Sequence, residues 1–161
     1  MYGCAGGLNY GRSSARRQHL ESEAMELILK PIEGGAHVTL GADTIIVTLK
    51  MFRDDAGEVF GEIVNVKVPE KLRGNEIAPR AVSILIGYAF TKTPATYVKA
   101  YCRHDNASSI QVWEKCHFTR QQELCHHETG DLIEFILHKS SVVRLCLRVS
   151  DRNSPMISAQ G

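Results

Sequence analysis

The residues best suited to chemistry form a short basic loop at the start of a predicted helix. Arg73-Gly74-Asn75 follows a strand-like run, Glu62–Val68, which stops at Pro69. Beyond the loop, apolar residues recur at helical spacing from about Ile77 to Phe90. This order places free backbone N–H groups and the positive end of the helix dipole beside cationic side chains. The loop therefore predicts a phosphate or pyrophosphate site, although an ordinary β–α turn with solvated Lys and Arg explains the same residues.

A second group of polar residues follows one strand later. Alternating residues predict a strand over Ala95–Cys102, and Asp105 or Asn106 can cap a helix over Ala107–Cys116. A strand, a helix and a strand of these lengths form a βαβ unit with a right-handed crossover. We therefore expect the strands before and after the first helix to be parallel neighbours.

The rest of the pattern predicts a mainly antiparallel sheet around this unit. The turn Asp54–Gly57 joins two runs of strand character into a hairpin. The run Glu21–Leu29 fits either a short helix or a strand, and a turn at Pro31–Gly35 follows it. Ser141–Val149 either extends the sheet or packs beside it. The other predicted strands are His37–Leu40, Thr44–Phe52, Glu58–Val68, Phe118–Leu124 and Asp131–His138, the last two around a turn at His126–Gly130.

Length and composition restrict the class of protein. The 161 residues suffice for one domain with a single core. A net charge of +1 gives no electrostatic case for nucleic acid or an anionic membrane as partner. The longest apolar run, Ala81–Phe90, is too short to cross a bilayer. The five cysteines are odd in number and lack C-x-x-C spacing, so we expect reduced thiols and a cytoplasmic location.

The two chain ends carry little predicted structure. Residues 1–20 contain glycine, serine and arginine, with no acidic residue and no apolar periodicity. This composition fits a disordered tail better than a mitochondrial targeting segment, which should be amphipathic. Residues 150–161 are polar and are predicted to form a flexible tail. We therefore expect one folded domain over residues 21–149.

Two motifs, in order, resemble the GCN5-related N-acetyltransferase (GNAT) superfamily, and most closely its ribosomal-protein N-terminal acetyltransferase branch. The family pattern R-G-x-G-I-A is met by Arg73, Gly74, Asn75, Ile77 and Ala78. The pattern D-N-x-x-S-x-x-V/L-x-E-K-x-G-F is met by Asp105, Asn106, Ser109, Glu114, Lys115 and Phe118. Two ordered motifs are far more specific than either alone.

The resemblance implies a mixed α/β fold: a mainly antiparallel sheet with a central parallel βαβ pair flanked by helices. The parallel strands should splay apart, so that free backbone groups at about Val66–Val68 pair with the pantetheine arm of acetyl-CoA. The resemblance also implies that the pyrophosphate of the cofactor lies on the N–H groups of Arg73–Ala78. The implied cofactor-binding residues are Val66, Lys67, Val68, Arg73, Gly74, Asn75, Glu76, Ile77, Ala78, Asn106 and Ser109.

The implied activity is acetyl transfer from acetyl-CoA to a primary amine by direct attack in a ternary complex. The resemblance places the Ser109 hydroxyl near the thioester sulfur. Glu62 is the expected general base, acting through a water. A strand carboxylate paired with a lysine is an equally good interpretation of Glu62, and His104 and His117 are alternative bases.

Three residues depart from the family pattern. Glu76 replaces a glycine and brings a carboxylate to the expected anion site. Trp113 stands where many relatives have a tyrosine acid, and an indole is too weak an acid to replace it. His117 replaces the glycine before Phe118. In addition, the usual first strand and the two helices that shape the acceptor pocket have no evident counterpart before His37.

Two other functions remain open from the sequence. A non-catalytic acyl-CoA-binding or interaction protein could share this fold. A zinc site could use Cys116, His117, Cys125, His126 and His127, but their spacing lacks paired ligands at each end, so no metal is expected. The expected partner is an amine-bearing protein or small molecule (a protein N-terminus, a lysine, a polyamine or an antibiotic). A homodimer is also open.

Overall fold

The computed structural model describes residues 26–127 and 130–144. Residues 139–144 are helical, and a 3₁₀ turn, Glu70–Leu72, precedes the longer of the two complete helices. The elements are β1 Leu27–Ile32, β2 Gly35–Leu40, β3 Thr44–Arg53, β4 Val59–Val64, α1 Ile77–Lys92, β5 Tyr97–Arg103, α2 Ala107–Lys115, β6 Thr119–His127 and β7 Gly130–His138.

All seven strands form one sheet in the order β1-β2-β3-β4-β5-β7-β6. Neighbouring strands are antiparallel except β4 and β5, which are parallel and joined through α1. This confirms the predicted mixed sheet with a parallel βαβ pair. The predicted position of the pairing was wrong by a few residues: Phe60–Ile63 pairs with Tyr97–Ala100, and the residues beyond Ile63 do not pair with β5.

The core lies on one face of the sheet. A row of side chains crosses five strands in register and is at most 4 % exposed; it consists of Ala36, Leu49, Ile63, Ala100 and Phe135. Helix α1 covers this face with apolar residues at helical spacing, and burying each large one contributes about 1.5–3 kcal/mol. Helix α2 lies beside α1, where Cys116 Sγ is 3.9 Å from Ser83 Oγ. The loops that precede the two helices therefore lie on the same side of the sheet.

The opposite face carries an aromatic row near the start of the parallel pair. Phe52, Phe60, Tyr97 and His138 face one another across four strands, with ring centroids 5.7, 5.1 and 5.8 Å apart. Lys99 Nζ lies 5.1 Å from the centre of the Phe60 ring. Phe52 is 44 % exposed, so this row continues to the surface.

The described amino-terminal part has a strand before His37, although the sequence offered no evident counterpart of the family's first strand there. Strands β1 and β2 are joined directly through Glu33-Gly34, with Gly34 at φ 72°, so no helix lies between them. The predicted turn Pro31–Gly35 was too long, because Pro31 pairs with Ala36 and Ile32 with Gly35. Pro31 is tolerated because β1 is an edge strand, where a missing N–H breaks no ladder. The alternative of a helix at residues 27–29 was wrong.

Three other predicted boundaries need correction. Strand β4 ends at Val64 instead of Val68. Strand β6 reaches His127 and β7 begins at Gly130, so the predicted turn at His126–Gly130 was too long. Residues 141–144 are helical, so a sheet extension at Ser141–Val149 is wrong there, and its remainder lies outside the described residues. The predicted tails over residues 1–20 and 150–161 also lie outside them. Within the described ranges, no helix has the length and apolar character needed to cross a membrane.

Candidate functional site

The candidate site is a cleft that opens where β4 and β5 separate. Val64 still pairs with Thr48, but the next bond to β3 runs from the Lys67 N–H to the Ile46 carbonyl at 2.7 Å. From Val64 to Lys67 the chain advances three residues, while β3 advances only two, from Thr48 to Ile46. One extra residue on one side of a strand pair defines a β-bulge. The extra residue is Asn65, whose φ is 56°. Beyond the bulge the chain remains hydrogen-bonded to β3, whereas β5 remains paired with β7. The parallel strands β4 and β5 therefore diverge.

The cleft has a volume of about 290 Å³ and brings together residues from both sequence motifs. Glu62 and the segment Ile63–Val66 form one wall, and the end of β5 forms the other. The start and the inner face of α2 close it. The lining residues that matter for chemistry are Glu62, Val66, Tyr101, Cys102, Asn106, Ser109 and Trp113.

The backbone beside the cleft has groups free for a ligand. In an extended chain, the N–H and C=O groups of successive residues point in opposite directions. Because the Lys67 N–H bonds to β3, the backbone groups of Val66 and Val68 point toward the space vacated by β5. Lys67 was predicted to bind the cofactor, but its own N–H is already bonded to β3 and its side chain is exposed.

The loop before α1 holds a run of unpaired N–H groups. Arg73 N–H bonds to Glu70 at 3.2 Å, but those of residues 74–78 make no hydrogen bond within the described chain. Glu76 occupies the N-cap position directly before α1, but its side chain does not cap the helix. Gly74 has φ 84° and a Cβ there would meet nothing within 4 Å. The loop is thus an exposed cradle of donors at a helix N-terminus, the arrangement that binds phosphates.

The carboxylate of Glu76 is bound away from this cradle. Its Oε1 lies 2.5 Å from Lys115 Nζ at the end of α2. Glu76 also has φ 57°, in the left-handed region that the family's glycine would favour. The ion pair joins the start of α1 to the end of α2, and it partly neutralises the charge that Glu76 brings to the loop.

Asn106 and Ser109 occupy the first turn of α2. Asn106 Oδ1 accepts hydrogen bonds from the Ser109 N–H at 3.2 Å and from the Ser108 hydroxyl at 3.0 Å, which makes it the helix cap. Its side-chain oxygen is therefore occupied, and its Nδ2 group is the part left for a ligand. Ser109 is partly buried beside Asn106 and lines the cleft.

Glu62 stands on the face of β4 that carries the aromatic row. Its neighbours in register are Lys50 on β3 and Lys99 on β5, but Lys99 Nζ is 3.7 Å from Glu134 instead. In the part of the chain that the structure describes, Glu62 has no ion pair. The interpretation of Glu62 as a lysine-paired strand carboxylate is therefore not supported by the structure. Glu134 also accepts a hydrogen bond from the Tyr101 hydroxyl at 2.7 Å.

Tyr101 and Cys102 were not assigned to the site from the sequence, and Trp113 was placed at the position of the family's acid without being named a site residue. Cys102 was interpreted as a small core residue, and it is 7 % exposed, yet it lies where β5 leaves β4. Burial raises the pKa of the Cys102 thiol, while the indole N–H of Trp113 opposes that rise. The signal that could have found these residues is their position at the C-terminal end of the second parallel strand and one turn after Ser109.

Of the five candidate zinc ligands, Cys116 and His117 have described side chains. Cys116 and Cys102 are buried free thiols. Cys116 Sγ donates to the Pro79 carbonyl at 3.5 Å, and burial raises its pKa. The described residues contain no group of three metal-binding side chains, and the side chains of Cys125, His126 and His127 lie outside them.

Comparison with solved structures identifies the architecture. The aminoglycoside acetyltransferase AAC(6′)-Ib in complex with coenzyme A matches with a TM-score of 0.56 and 16 % identity, over 68 % of each chain. Spermidine N-acetyltransferase from Vibrio cholerae, in complex with CoA and spermine, matches with a TM-score of 0.55 and 13 % identity, over 80 % of this chain and 74 % of the other. The chain has the GNAT acetyltransferase fold.

A third structure supports the same assignment of fold. The GNAT-family acetyltransferase from Bacillus anthracis matches with a TM-score of 0.53 and 20 % identity, over 66 % of this chain and 67 % of that one. No protein-family model matches the sequence, and no curated protein matches it either. The fold is therefore recognised through its geometry, and the two motifs supply the residue-level correspondence.

Proposed function

We propose that this chain is an acetyl-CoA-dependent N-acetyltransferase that acts on a primary amine. The observation that carries the proposal is the divergence of β4 from β5. The cleft formed there is lined by Asn106 and Ser109, which belong to the second motif, and by Glu62, the expected general base on the strand before the loop. Among proteins of the same fold are an aminoglycoside acetyltransferase and a spermidine N-acetyltransferase, each in complex with coenzyme A.

The residues present fit coenzyme A. A pantetheine arm carries amides, and the backbone groups of Val66 and Val68 can pair with them as a neighbouring strand would. The unpaired N–H groups of residues 74–78 suit a pyrophosphate, and Arg73 is an exposed cation beside them. The Asn106 Nδ2 group can donate to a pantetheine carbonyl while its oxygen caps α2.

The chain's own groups then have distinct tasks. Acetyl-CoA supplies an acetyl group activated as a thioester. Glu62 removes the proton from the acceptor's ammonium form, directly or through a water, so that a neutral amine attacks. A backbone N–H at the end of β4 polarises the acetyl carbonyl, and Ser109 offers a hydroxyl near the sulfur. Holding both reactants in one cleft supplies the orientation that the reaction needs.

The acceptor class we favour is the amino group of a peptide or protein, in keeping with the ribosomal-protein branch that the motifs resemble. The described residues place no helix between β1 and β2, so this connection contributes no helix to an acceptor pocket. A large acceptor brings its own contact surface to an open site, whereas a small polyamine or antibiotic depends on a pocket. Glu62, which has no ion pair among the described residues, can receive a proton from a cationic amino group at this open site.

A non-catalytic acyl-CoA-binding role is the second candidate. It is favoured by Trp113, which replaces an acid that many relatives use, and by the direct connection of β1 to β2, which contains no helix. The two candidates share cofactor binding and differ only in turnover.

The test is a thiol-release assay with acetyl-CoA and four acceptors: a peptide with a free N-terminus, a lysine peptide, spermidine and an aminoglycoside. We expect release that depends on the N-terminal peptide and falls at least 10²-fold in Glu62→Gln, with unchanged cofactor affinity. Binding of acetyl-CoA without release for any acceptor would support the non-catalytic role. Absence of binding would contradict both.

A further inference from the structure

A cluster of polar side chains lies beside Glu62 on the face of the sheet that carries the aromatic row. Glu134 Oε2 accepts a hydrogen bond from the Tyr101 hydroxyl at 2.7 Å and lies 3.7 Å from Lys99 Nζ. The side chains of Lys99 and Glu134 are only 23 % and 16 % exposed. Lys99 is also the register neighbour of Glu62 across the parallel pair. Glu134 thus binds two side chains of β5 that lie next to the expected base.

Lys99 could pair with Glu62, yet its ammonium is held elsewhere. Neighbouring strands lie about 4.8 Å apart, so charged side chains in register can reach each other. Glu134 attracts the ammonium from β7, and the ring centres of Phe60 and Tyr97 lie 5.1 and 5.8 Å from Nζ, within the range of cation–π contacts. Of these three groups Glu134 alone carries a negative charge, so its attraction is the strongest. The Glu134 carboxylate is therefore the main group that keeps Lys99 from Glu62.

The Asp54 carboxylate also lies within electrostatic reach of Lys99. Its two oxygens already accept hydrogen bonds, from the Tyr97 hydroxyl at 2.8 Å and from the Glu58 N–H at 2.9 Å. Glu62, by contrast, has no ion pair among the described residues and stands in register with Lys99. It is therefore the carboxylate that an unpartnered Lys99 would bind.

The two lysines in register with Glu62 differ in exposure. Lys50 on β3 is exposed and forms no ion pair within the described part of the chain. A solvated ammonium gains little from a surface ion pair, so Lys50 has little tendency to bind Glu62. Lys99 is mostly buried, and a buried charge needs a partner. Loss of the Glu134 charge should therefore drive Lys99, and not Lys50, onto Glu62.

We propose that Glu134 is a positioning residue that keeps Glu62 available as the base by holding the Lys99 ammonium. The inference rests on the proposed function and extends it, since it explains how a carboxylate stays unpaired between two lysines. An ammonium bound to Glu62 would favour the charged carboxylate and occupy its oxygens, so Glu62 would take the proton of the acceptor less readily. Glu134 touches no reacting group and acts through Lys99. The hydrogen bond from Tyr101 fixes the Glu134 carboxylate in place.

The first test observes Glu62 directly and needs no turnover. In protein labelled isotopically at the glutamate carboxyl carbons, the NMR signal of Glu62 is assigned by its loss in Glu62→Gln. We expect this carboxyl to titrate at lower pH in Glu134→Gln than in the parent, by roughly one pH unit, because Lys99 moves onto it. Adding Lys99→Met should abolish the shift, since no ammonium remains to pair. Glu134→Thr, a residue suited to strands, removes the same charge and should give the same shift.

The second test follows turnover with the acceptor peptide. Glu134→Gln should lower kcat by roughly ten-fold and move the acidic limb of the kcat–pH profile to lower pH, with unchanged affinity for acetyl-CoA. The double variant with Lys99→Met should recover most of the lost rate. Glu33→Gln removes an exposed carboxylate at the β1–β2 turn, at the far edge of the sheet, and is the matched control. It should give the parent result in both tests.

The outcomes separate this inference from the proposed function. Equal titration of Glu62 in the parent, in Glu134→Gln and in Glu33→Gln would overturn the inference. A shift that persists in the double variant would also overturn it, because the effect would not pass through Lys99. The expected shift and its reversal, in a protein without turnover for any acceptor, would support the hold of Glu134 on Lys99 and contradict the proposed function.

Discussion

At the scale of single residues, two positions where the family pattern has glycine keep the backbone that glycine favours. Glu76 has φ 57° and His117 has φ 65°, although both carry a Cβ. A left-handed conformation costs a non-glycine residue roughly 1–2 kcal/mol. The fold imposes this geometry in both places, since Glu76 starts α1 and His117 ends α2.

His117→Gly should increase the free energy of unfolding by about 1 kcal/mol, because glycine adopts the left-handed conformation at the end of α2 without strain. His117→Ala keeps the Cβ and should give no such gain. Urea unfolding of the three proteins measures the difference. A glycine variant no more stable than the alanine variant would mean that His117 makes compensating contacts.

Glu76→Gly should bind acetyl-CoA several-fold more tightly, because the change removes a carboxylate and allows closer approach of the loop backbone. The ion pair with Lys115 is exposed and its loss should cost at most about 1 kcal/mol of stability. Glu76→Gln removes the charge alone and serves as the matched control. Equal tightening in both variants would assign the effect to charge, and no tightening in either would contradict the prediction.

Asn106 has two roles that a pair of substitutions can separate. Asn106→Asp keeps an oxygen cap for α2 but loses the Nδ2 donors, so its melting temperature should stay close to the parent while acetyl-CoA affinity falls. Asn106→Ala loses both and should also cost about 1 kcal/mol of stability. Calorimetric titration and melting curves measure the two effects. Unchanged affinity in the aspartate variant would leave Asn106 as a helix cap only.

Ser109→Ala should lower kcat by about 10²-fold with little change in cofactor affinity, if the hydroxyl assists the leaving sulfur. The Ser109 N–H, not its hydroxyl, completes the cap of α2, so the variant should remain stable. Steady-state kinetics decide the matter. An unchanged kcat would mean that the hydroxyl takes no part in the departure of the sulfur.

At the scale of elements, Tyr97 joins the start of β5 to the β3–β4 turn. Its hydroxyl donates to Asp54 Oδ2 at 2.8 Å. Burial and the hydrogen bond to Asp54 raise the pKa of Tyr97 from 10.0 to about 12. The same hydrogen bond holds the pKa of the Asp54 carboxyl below its usual value.

Stability should therefore decrease in alkaline solution. A tyrosine whose folded pKa is raised favours the folded state fully below its unfolded pKa of 10.0, and this advantage is lost as the pH rises to about 12. Tyr97→Phe removes the titrating group and should flatten this decrease. Urea unfolding as a function of pH measures it, and an equal slope in the parent and in Tyr97→Phe would refute the assignment.

The sequence predicted the elements that carry strong periodicity or turn chemistry. Helix α1, the hairpin at Asp54–Gly57 and the parallel pair follow from local patterns. The bulge at Asn65 did not, because a strand pattern of alternating residues continues through Val68 and only the bond from Lys67 to Ile46 reveals the shift. Cys102 was missed as a site residue because buried apolar residues look alike in sequence whether they line a core or a cleft.

At the scale of the whole molecule, function depends on two loops held at one end of the sheet. The sheet fixes β4 and β5, the bulge separates them, and helices α1 and α2 begin beside the opening. Neither the backbone groups of Val66 and Val68 nor the N–H groups of residues 74–78 have backbone partners in the described chain. We propose that acetyl-CoA provides these partners.

Hydrogen exchange of backbone amides tests this claim most directly. Addition of acetyl-CoA should slow exchange in peptides covering residues 64–80 and 104–110, because their free N–H groups become bonded and shielded. Peptides from β1 and β2, residues 27–40, lie at the far edge of the sheet and should exchange as before. Protection confined to those two segments is the predicted result. Unchanged exchange at residues 64–80 in the presence of saturating acetyl-CoA would contradict the account.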